Sequence, residues 1–281
     1  MSFSPEWLAL REPVDHASVN SQVREALRRY FVRHTSIRVV DLGCGTGSNV
    51  RGTAGALGRR QTWTLVDYDP KLLKAAAFRL ENLERGMRTK SGVRFAVDDG
   101  EITVSFLEAD LATGGFAPMI GGADLVTAAA LFDLFSVAAI DLLVDAVAAN
   151  KQAFFTVLTY DGLASWLPEH PADAAMRDAF NAHQRTDKGF GPSAGAGATA
   201  ALVTGFQRHG YRIVRGKSPW IVDGAHPELR RQLDAGFVNA VKETGQVAAE
   251  TTDSWQAHRN SAADARVTDR KSTRLNSSHR P

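Results

Sequence analysis

A mostly parallel α/β sheet covered by helices on both faces is the fold this sequence predicts, and three observations predict it. Apolar runs of strand length alternate with helical patterns along the chain. The first of those runs carries the acid Asp41 and passes directly into glycines at alternate positions, Gly43, Gly45 and Gly47. A second acid, Asp67, closes another apolar run, TWTLVD, twenty residues beyond the last of those glycines. A buried strand thus delivers the chain to a turn where glycine permits positive φ and lets the backbone approach a ligand with no Cβ in the way.

Over 19–34, Val23, Leu27, Tyr30 and Phe31 recur at helical spacing with Arg24, Arg28 and Arg29 outward, so an amphipathic helix precedes the first strand. Strands follow over 38–42 and 61–67. The next helix, 71–84, turns Leu72, Leu73, Ala76, Leu80 and Leu83 inward, and Asp69 with Pro70 would cap and open it. Two alternating runs over 93–110 flank the turn Asp98-Asp99-Gly100, a hairpin whose second arm becomes the third strand. A fourth strand over 123–128, a helix over 138–149 and a fifth strand over 153–159 continue the alternation. From 160 to 199 the pattern is broken by Pro168, Pro171, Pro192 and several glycines; a connection of this length predicts a lid or binding loop. A helix resumes over 200–209. Two apolar runs around Ser218-Pro219, within 211–222, suit an antiparallel last hairpin, and 227–244 reads as a C-terminal helix. The expected plan is a cap region over 1–35, a ligand-binding half over 36–160, a lid over 161–200 and the rest of the same domain over 201–260.

The 281 residues suffice for one large α/β domain with a sizeable core. No stretch approaches the ~20 apolar residues of a membrane span. The opening MSFSPEWLALREP lacks a basic region followed by an apolar one, so no secretory signal is expected, and the predicted location is cytoplasmic without a membrane partner. The single cysteine, Cys44, excludes an internal disulfide and reads as a small loop residue. No clustered His, Asp or Glu spacing implies a metal. Oligomeric state is not encoded legibly.

Asp269 to His279, DRKSTRLNSSH, resembles the conceptual translation of a widely used sequencing adapter. The expectation is that 269–281 form a disordered tail, that the natural C-terminus lies before residue 269, and that deleting the tail is neutral. The tail holds four Lys or Arg and one Asp. Without it the chain's 33 basic and 31 acidic groups fall by four and one, leaving a body of net charge near −1. Such a body lacks the global attraction to phosphate backbones that nucleic-acid binders show, so no nucleic-acid partner is expected.

Dinucleotide-binding sheets space their glycines G-x-G-x-x-G to bring a helix N-terminus onto a pyrophosphate. Here the spacing is G-x-G-x-G behind an acid, which would repel a diphosphate and suits a ligand carrying an ammonium and a sulfonium. The run VVDLGCGTGSN resembles motif I of the class I S-adenosylmethionine-dependent methyltransferases. LVDYDPKLL, FLEADL and ADLVTAAALFDLFS resemble the family's later motifs, in the family's order. The resemblance implies a Rossmann-like, mostly parallel seven-stranded sheet with an antiparallel last strand, of the bacterial small-molecule type, using S-adenosyl-L-methionine. It places Asp41, Gly43, Cys44, Gly45 and Gly47 at the methionine part, Asp67 on the ribose and Tyr68 beside the adenine. Asp110 would receive the adenine amino group, with the Leu111 amide at the ring, and Ala128 would line the methyl donor.

In-line methyl transfer asks the protein mainly to align nucleophile and methyl, to exclude water and to accept a proton where the nucleophile carries one. Three candidates could serve the last role. Asp133 follows the fourth strand, although it reads equally as a helix cap. Tyr160, in TYDG, leaves the fifth strand, although Asp161-Gly162 is also a good turn. His183 stands in NAHQRTDKGFGP, a segment that also offers Arg185, Lys188 and Phe190 for an acidic acceptor or simply forms a solvated loop. Arg11, near Trp7, Asp15 and His16, would cover the substrate from the N-terminal side; packing onto the core is the competing reading for Trp7. The expected function is methyl transfer to a small-molecule acceptor. The alternatives are a catalytically inactive S-adenosylmethionine-binding regulatory protein and an aminopropyl transferase-like enzyme.

Overall fold

Two helices precede the first strand. α1 (Pro5–Ser18) starts where Ser4 Oγ accepts the Trp7 amide, and α2 (Ser21–Phe31) starts where the Asn20 side-chain oxygen accepts the Val23 amide. β1 (Ile37–Leu42), β2 (Arg60–Asp67) and α4 (Pro70–Glu81) follow as the sequence predicts, with a short helix that it did not predict, α3 (Ser48–Thr53), between the two strands, and Asp69 caps α4 by accepting the Lys71 amide. These elements belong to a computed structural model that describes residues 3–97, 100–113, 115–262 and 265–278.

At one edge the chain turns back through β3 (Met87–Thr89) and β4 (Gly92–Val97), and β5 (Gly100–Glu108) returns antiparallel to β4 and parallel to β2. The turn residues Asp98 and Asp99 lie outside the described residues. α5 (Phe116–Ile120), β6 (Leu125–Ala129), α6 (Val137–Ala149) and β7 (Ala153–Leu167) follow. The second half holds α7 (Asp173–Gln184), α8 (Ala198–Arg208), β8 (Arg212–Lys217), β9 (Trp220–Val222), α9 (Pro227–Thr244), α10 (Ala249–Ser261) and β10 (Arg266–Ser277).

The strand order is β3-β4-β5-β2-β1-β6-β7-β10-β8, with β9 also pairing β10. β5, β2, β1, β6 and β7 are parallel, and β10 runs antiparallel to both β7 and β8. This is the Rossmann-like, mostly parallel α/β sheet with helices on both faces, with ten strands among the described residues instead of the expected seven because β3, β9 and β10 extend it. One face buries Val23, Leu27 and Phe31 of α2 with Leu73, Ala76 and Leu80 of α4; the other buries Ile140, Leu143 and Val144 of α6 with Leu202 and Phe206 of α8. No helix among the described residues is long and apolar enough to cross a membrane.

Three expectations are corrected. The segment 160–199 is not mainly loop. β7 runs on to Leu167 with Tyr160, Gly162, Ala164 and Trp166 buried in alternation, and α7 carries Met176 and Ala179 against Trp166, Phe237 and Trp255. The apolar runs of 211–222 do not pair with each other, because β8 and β9 both pair with β10. Residues 269–277, the greater part of the expected tail, belong to the strand β10 rather than to a disordered end, while 279–281 lie outside the described residues. β7 and β8 each present a row of backbone N–H and C=O groups toward the gap between them, and any extended run of chain inserted there satisfies both rows.

Candidate functional site

The C-terminal ends of β1, β2, β5 and β6 converge on one cavity of about 310 Å³, at the point where strand order reverses from β2 to β6 around β1. Gly43 follows β1 at φ +63°, a left-handed conformation that favours glycine, and a Cβ there would also crowd Leu131 Cδ1 at 2.9 Å. The Gly45 amide donates to Asp67 Oδ2 at 2.8 Å, and the Asp69 amide donates to Asp67 Oδ1 at 3.0 Å. Asp67 therefore ties the glycine loop to the end of β2, and burial raises its pKa. Asp110 accepts the Ala112 amide at 2.8 Å and holds the turn after β5 against the same cavity. Gly43, Cys44, Gly45, Asp67, Tyr68, Asp110 and Leu111 all line it.

Three residues expected at the cofactor lie behind that lining. Gly47 starts α3 in the left-handed conformation, and Ala128 is buried on β6 while Ala129 and Ala130 face the cavity. Asp41 is fully buried; its Oδ1 accepts from Asn49 Nδ2 at 2.7 Å and its Oδ2 has no partner. Burial pushes the Asp41 carboxyl up to about 7, with the Asn49 hydrogen bond opposing the rise and the neighbouring Asp67 charge adding to it. Burial also pushes the Cys44 thiol well above its usual range, so it is protonated at neutral pH.

α1 supplies the opposite wall. Glu12 anchors it by accepting from Arg51 Nε and Nη2 at 2.6 and 2.7 Å and from Arg79 Nη1 at 2.7 Å. So held, α1 directs Leu8, Arg11, Asp15 and His16 to the cavity. Arg11 forks onto Asp15 at 2.8 and 3.1 Å and lies 4.7 Å from the Trp220 ring centroid, and Trp220 Nε1 donates to Asp15 at 2.9 Å. His16 Nε2 stands 3.0 Å from the Ser48 carbonyl oxygen. A carbonyl only accepts, so Nε2 carries a hydrogen and donates it there. The loop after α7 closes the cavity with Lys188, Gly189 and Phe190. Asp187 Oδ1 accepts the Gly189 and Gly191 amides at 2.7 and 3.0 Å, and Phe190 stacks on Phe135 at 4.1 Å between centroids.

The structure does not bring Asp133, Tyr160, His183 or Arg185 to this lining. Leu131 and Leu134, on either side of Phe132 and Asp133, line the cavity and Asp133 does not; burial raises its pKa, and the Lys271 and Arg11 charges oppose the rise. Because β7 continues as a strand, Tyr160 alternates inward toward α7, and its hydroxyl donates to Asn181 Oδ1 at 3.0 Å. His183 ends α7 with Nε2 at 2.8 Å from Glu243, and Arg185 is exposed. Sequence reasoning missed Leu131, Leu134 and Leu158 as lining residues. Nothing in their spacing distinguishes them from core, and Leu158 reaches the cavity through a left-handed φ of 63° that a leucine does not advertise. Trp220 is buried in the core, and Trp7 is partly buried against it. Among the described residues no group of three or more His, Cys, Asp or Glu side chains could hold a metal ion.

Neither a protein-family profile nor a curated protein matches the chain. Among solved structures, the cyclopropane synthase MmaA2 from Mycobacterium tuberculosis is similar over 98% of this chain and 94% of its own, at 10% identity and a TM-score of 0.50. A SAM-dependent methyltransferase from Thiobacillus denitrificans, in complex with S-adenosyl-L-homocysteine, is similar over 99% of this chain and 100% of its own, at 14% identity and a TM-score of 0.46. At such identities the likeness is one of fold.

Proposed function

We propose that the protein transfers the methyl group of S-adenosyl-L-methionine to a small-molecule acceptor. The observation that carries this reading is a single cavity with an acidic, glycine-lined end at Gly43, Gly45, Asp67 and Asp110 and an apolar end at Leu131, Leu134 and Phe190. The acidic end fits a cationic donor. Asp67 spends one lone pair per oxygen on the loop and retains others for a ribose diol, and the unpartnered Asp41 Oδ2 sits beside it in a region poor in compensating charge. The bound donor supplies a methyl carbon already activated by its sulfonium. The chain's part is to align the acceptor, to exclude water with Leu131, Leu134 and Phe190, and to take a proton at His16 Nδ1 where the acceptor carries one.

Calorimetric titration of the full chain with S-adenosyl-L-methionine and S-adenosyl-L-homocysteine, followed by a methyl-release screen over small acids, phenols and amines, tests the reading. Binding of both ligands with turnover on one class is expected. A folded sample that binds neither would overturn the donor site. Binding with no turnover on any class would keep the donor site and favour the regulatory alternative.

A further inference from the structure

We infer that the acceptor is a small amphipathic acid, its anionic group seated on Lys188 and its apolar body lying between Phe190 and the leucines of the cavity. The inference rests on the proposed donor site and concerns the other end of the same cavity.

The cavity is electrically lopsided. Its donor end presents Asp67 and Asp110, whereas its other end presents Arg11 and Lys188. Arg11 is matched by its two hydrogen bonds to Asp15, whereas Lys188 has no carboxylate in hydrogen-bond contact among the described residues; the nearby charge of Glu243 is exposed and lies beyond His183. Its nearest polar neighbour cannot match it. His183 Nε2 stands 2.8 Å from Glu243 Oε2 and 3.4 Å from Lys188 Nζ. A carboxylate only accepts, so the His183 Nε2 hydrogen is committed to Glu243 and that nitrogen offers no lone pair to the ammonium. Desolvation lowers the Lys188 pKa, and the Glu243 charge opposes the fall.

The surroundings of Lys188 are apolar and fixed. Leu8, Leu131, Leu134, Leu158 and Phe190 make up the adjoining wall. Asp187 pins the loop on both sides of Phe190, and the Phe190 ring rests on Phe135, so a ligand would find the ammonium and the ring already placed. A carboxylate on a compact hydrocarbon or aryl group complements both features. The corresponding amide fills the same slot without the charge.

The test uses the full chain saturated with S-adenosyl-L-homocysteine and titrated with benzoate and phenylacetate against benzamide and phenylacetamide, in the wild type and in Lys188→Met and Lys188→Arg. A charge-assisted hydrogen bond predicts that the acids bind about tenfold more tightly than their amides or better. The preference should vanish in Lys188→Met, persist in Lys188→Arg, and leave affinity for S-adenosyl-L-homocysteine unchanged in all three proteins. Equal binding of acids and amides, no binding of either, or a preference that survives Lys188→Met overturns the inference while S-adenosyl-L-homocysteine still binds. Failure of S-adenosyl-L-homocysteine itself to bind overturns the donor reading beneath it and the inference with it.

Discussion

Replacing Arg274 by methionine should stabilise this protein. Arg274 lies in β10 with its side chain fully buried; Nη2 donates to Ser272 Oγ at 2.8 Å, but Nε and Nη1 have no partner. Burial, joined by the like charge of Arg215, lowers its pKa from 12.5 to about 10. That difference corresponds to roughly 3 kcal/mol against the charged form in the folded state. The sign follows from linkage: the folded pKa lies below the unfolded one, so the penalty is complete at all pH values below about 10 and fades only as pH rises beyond it. At neutral pH the substitution therefore removes the whole penalty, and methionine, flexible and of comparable length, fills the space. About 3 kcal/mol translates into a rise in Tm of roughly 6 °C for a chain of this size. Differential scanning calorimetry at pH 7.5, with urea unfolding as a second measure, reads it. An unchanged or lower Tm would refute the reasoning, because it would mean that the guanidinium is compensated or that β10 is not seated between β7 and β8. Deleting 269–281 separates those two cases. With β10 in place the deletion bares the edges of both neighbours and should abolish cooperative unfolding; a deletion variant as stable as the full chain would remove β10 from the fold.

Three further outcomes follow from the site. Asp41→Asn should flatten the pH dependence of stability, since a carboxyl whose folded pKa is raised to about 7 costs nothing below pH 4 and destabilises increasingly up to pH 7; a melting series from pH 4 to 8 with the wild-type slope retained would contradict this. Asp67→Ala should weaken S-adenosyl-L-homocysteine binding by roughly 2 kcal/mol or more, through the ribose and the loss of the Gly45 tether, and unchanged affinity in calorimetry would reject the donor assignment. Glu12→Gln should cost about 2 kcal/mol of stability, because it weakens a part-buried acceptor of three hydrogen bonds from Arg51 and Arg79, and denaturant unfolding that matches the wild type would show α1 to be held otherwise.

What was legible in the sequence was whatever depends on local backbone rules. Gly43, Gly45 and Gly47 all adopt positive φ, and Asp67 ends its strand bonded to the Gly45 amide, so spacing marked the acidic, glycine-lined end of the cavity. The same local rules misread 160–199. Pro168 and Pro171 break regular structure, but they stand between the end of β7 at Leu167 and the start of α7 at Asp173, so they separate two elements instead of dissolving them. At the other end Arg11, Lys188 and Phe190, named from the sequence, do line the cavity, but its leucines escaped notice because they are brought together from α1, the turn after β6 and the middle of β7, a convergence that no spacing encodes. β10 is the extreme case. Lys271 to Ser277 of this strand, KSTRLNS, offer a single apolar side chain, Leu275, and no alternation of apolar and polar residues. Arg274 and Asn276 sit fully buried with unpartnered polar atoms. The strand is specified by its neighbours: β7 and β8 require a hydrogen-bonding partner along their whole facing edges, and backbone alone meets that requirement. Topology has placed the chain there and composition has not, which is why the stability of this protein should respond more to apolar replacements in β10 than to any comparable change in the strands the sequence predicted well.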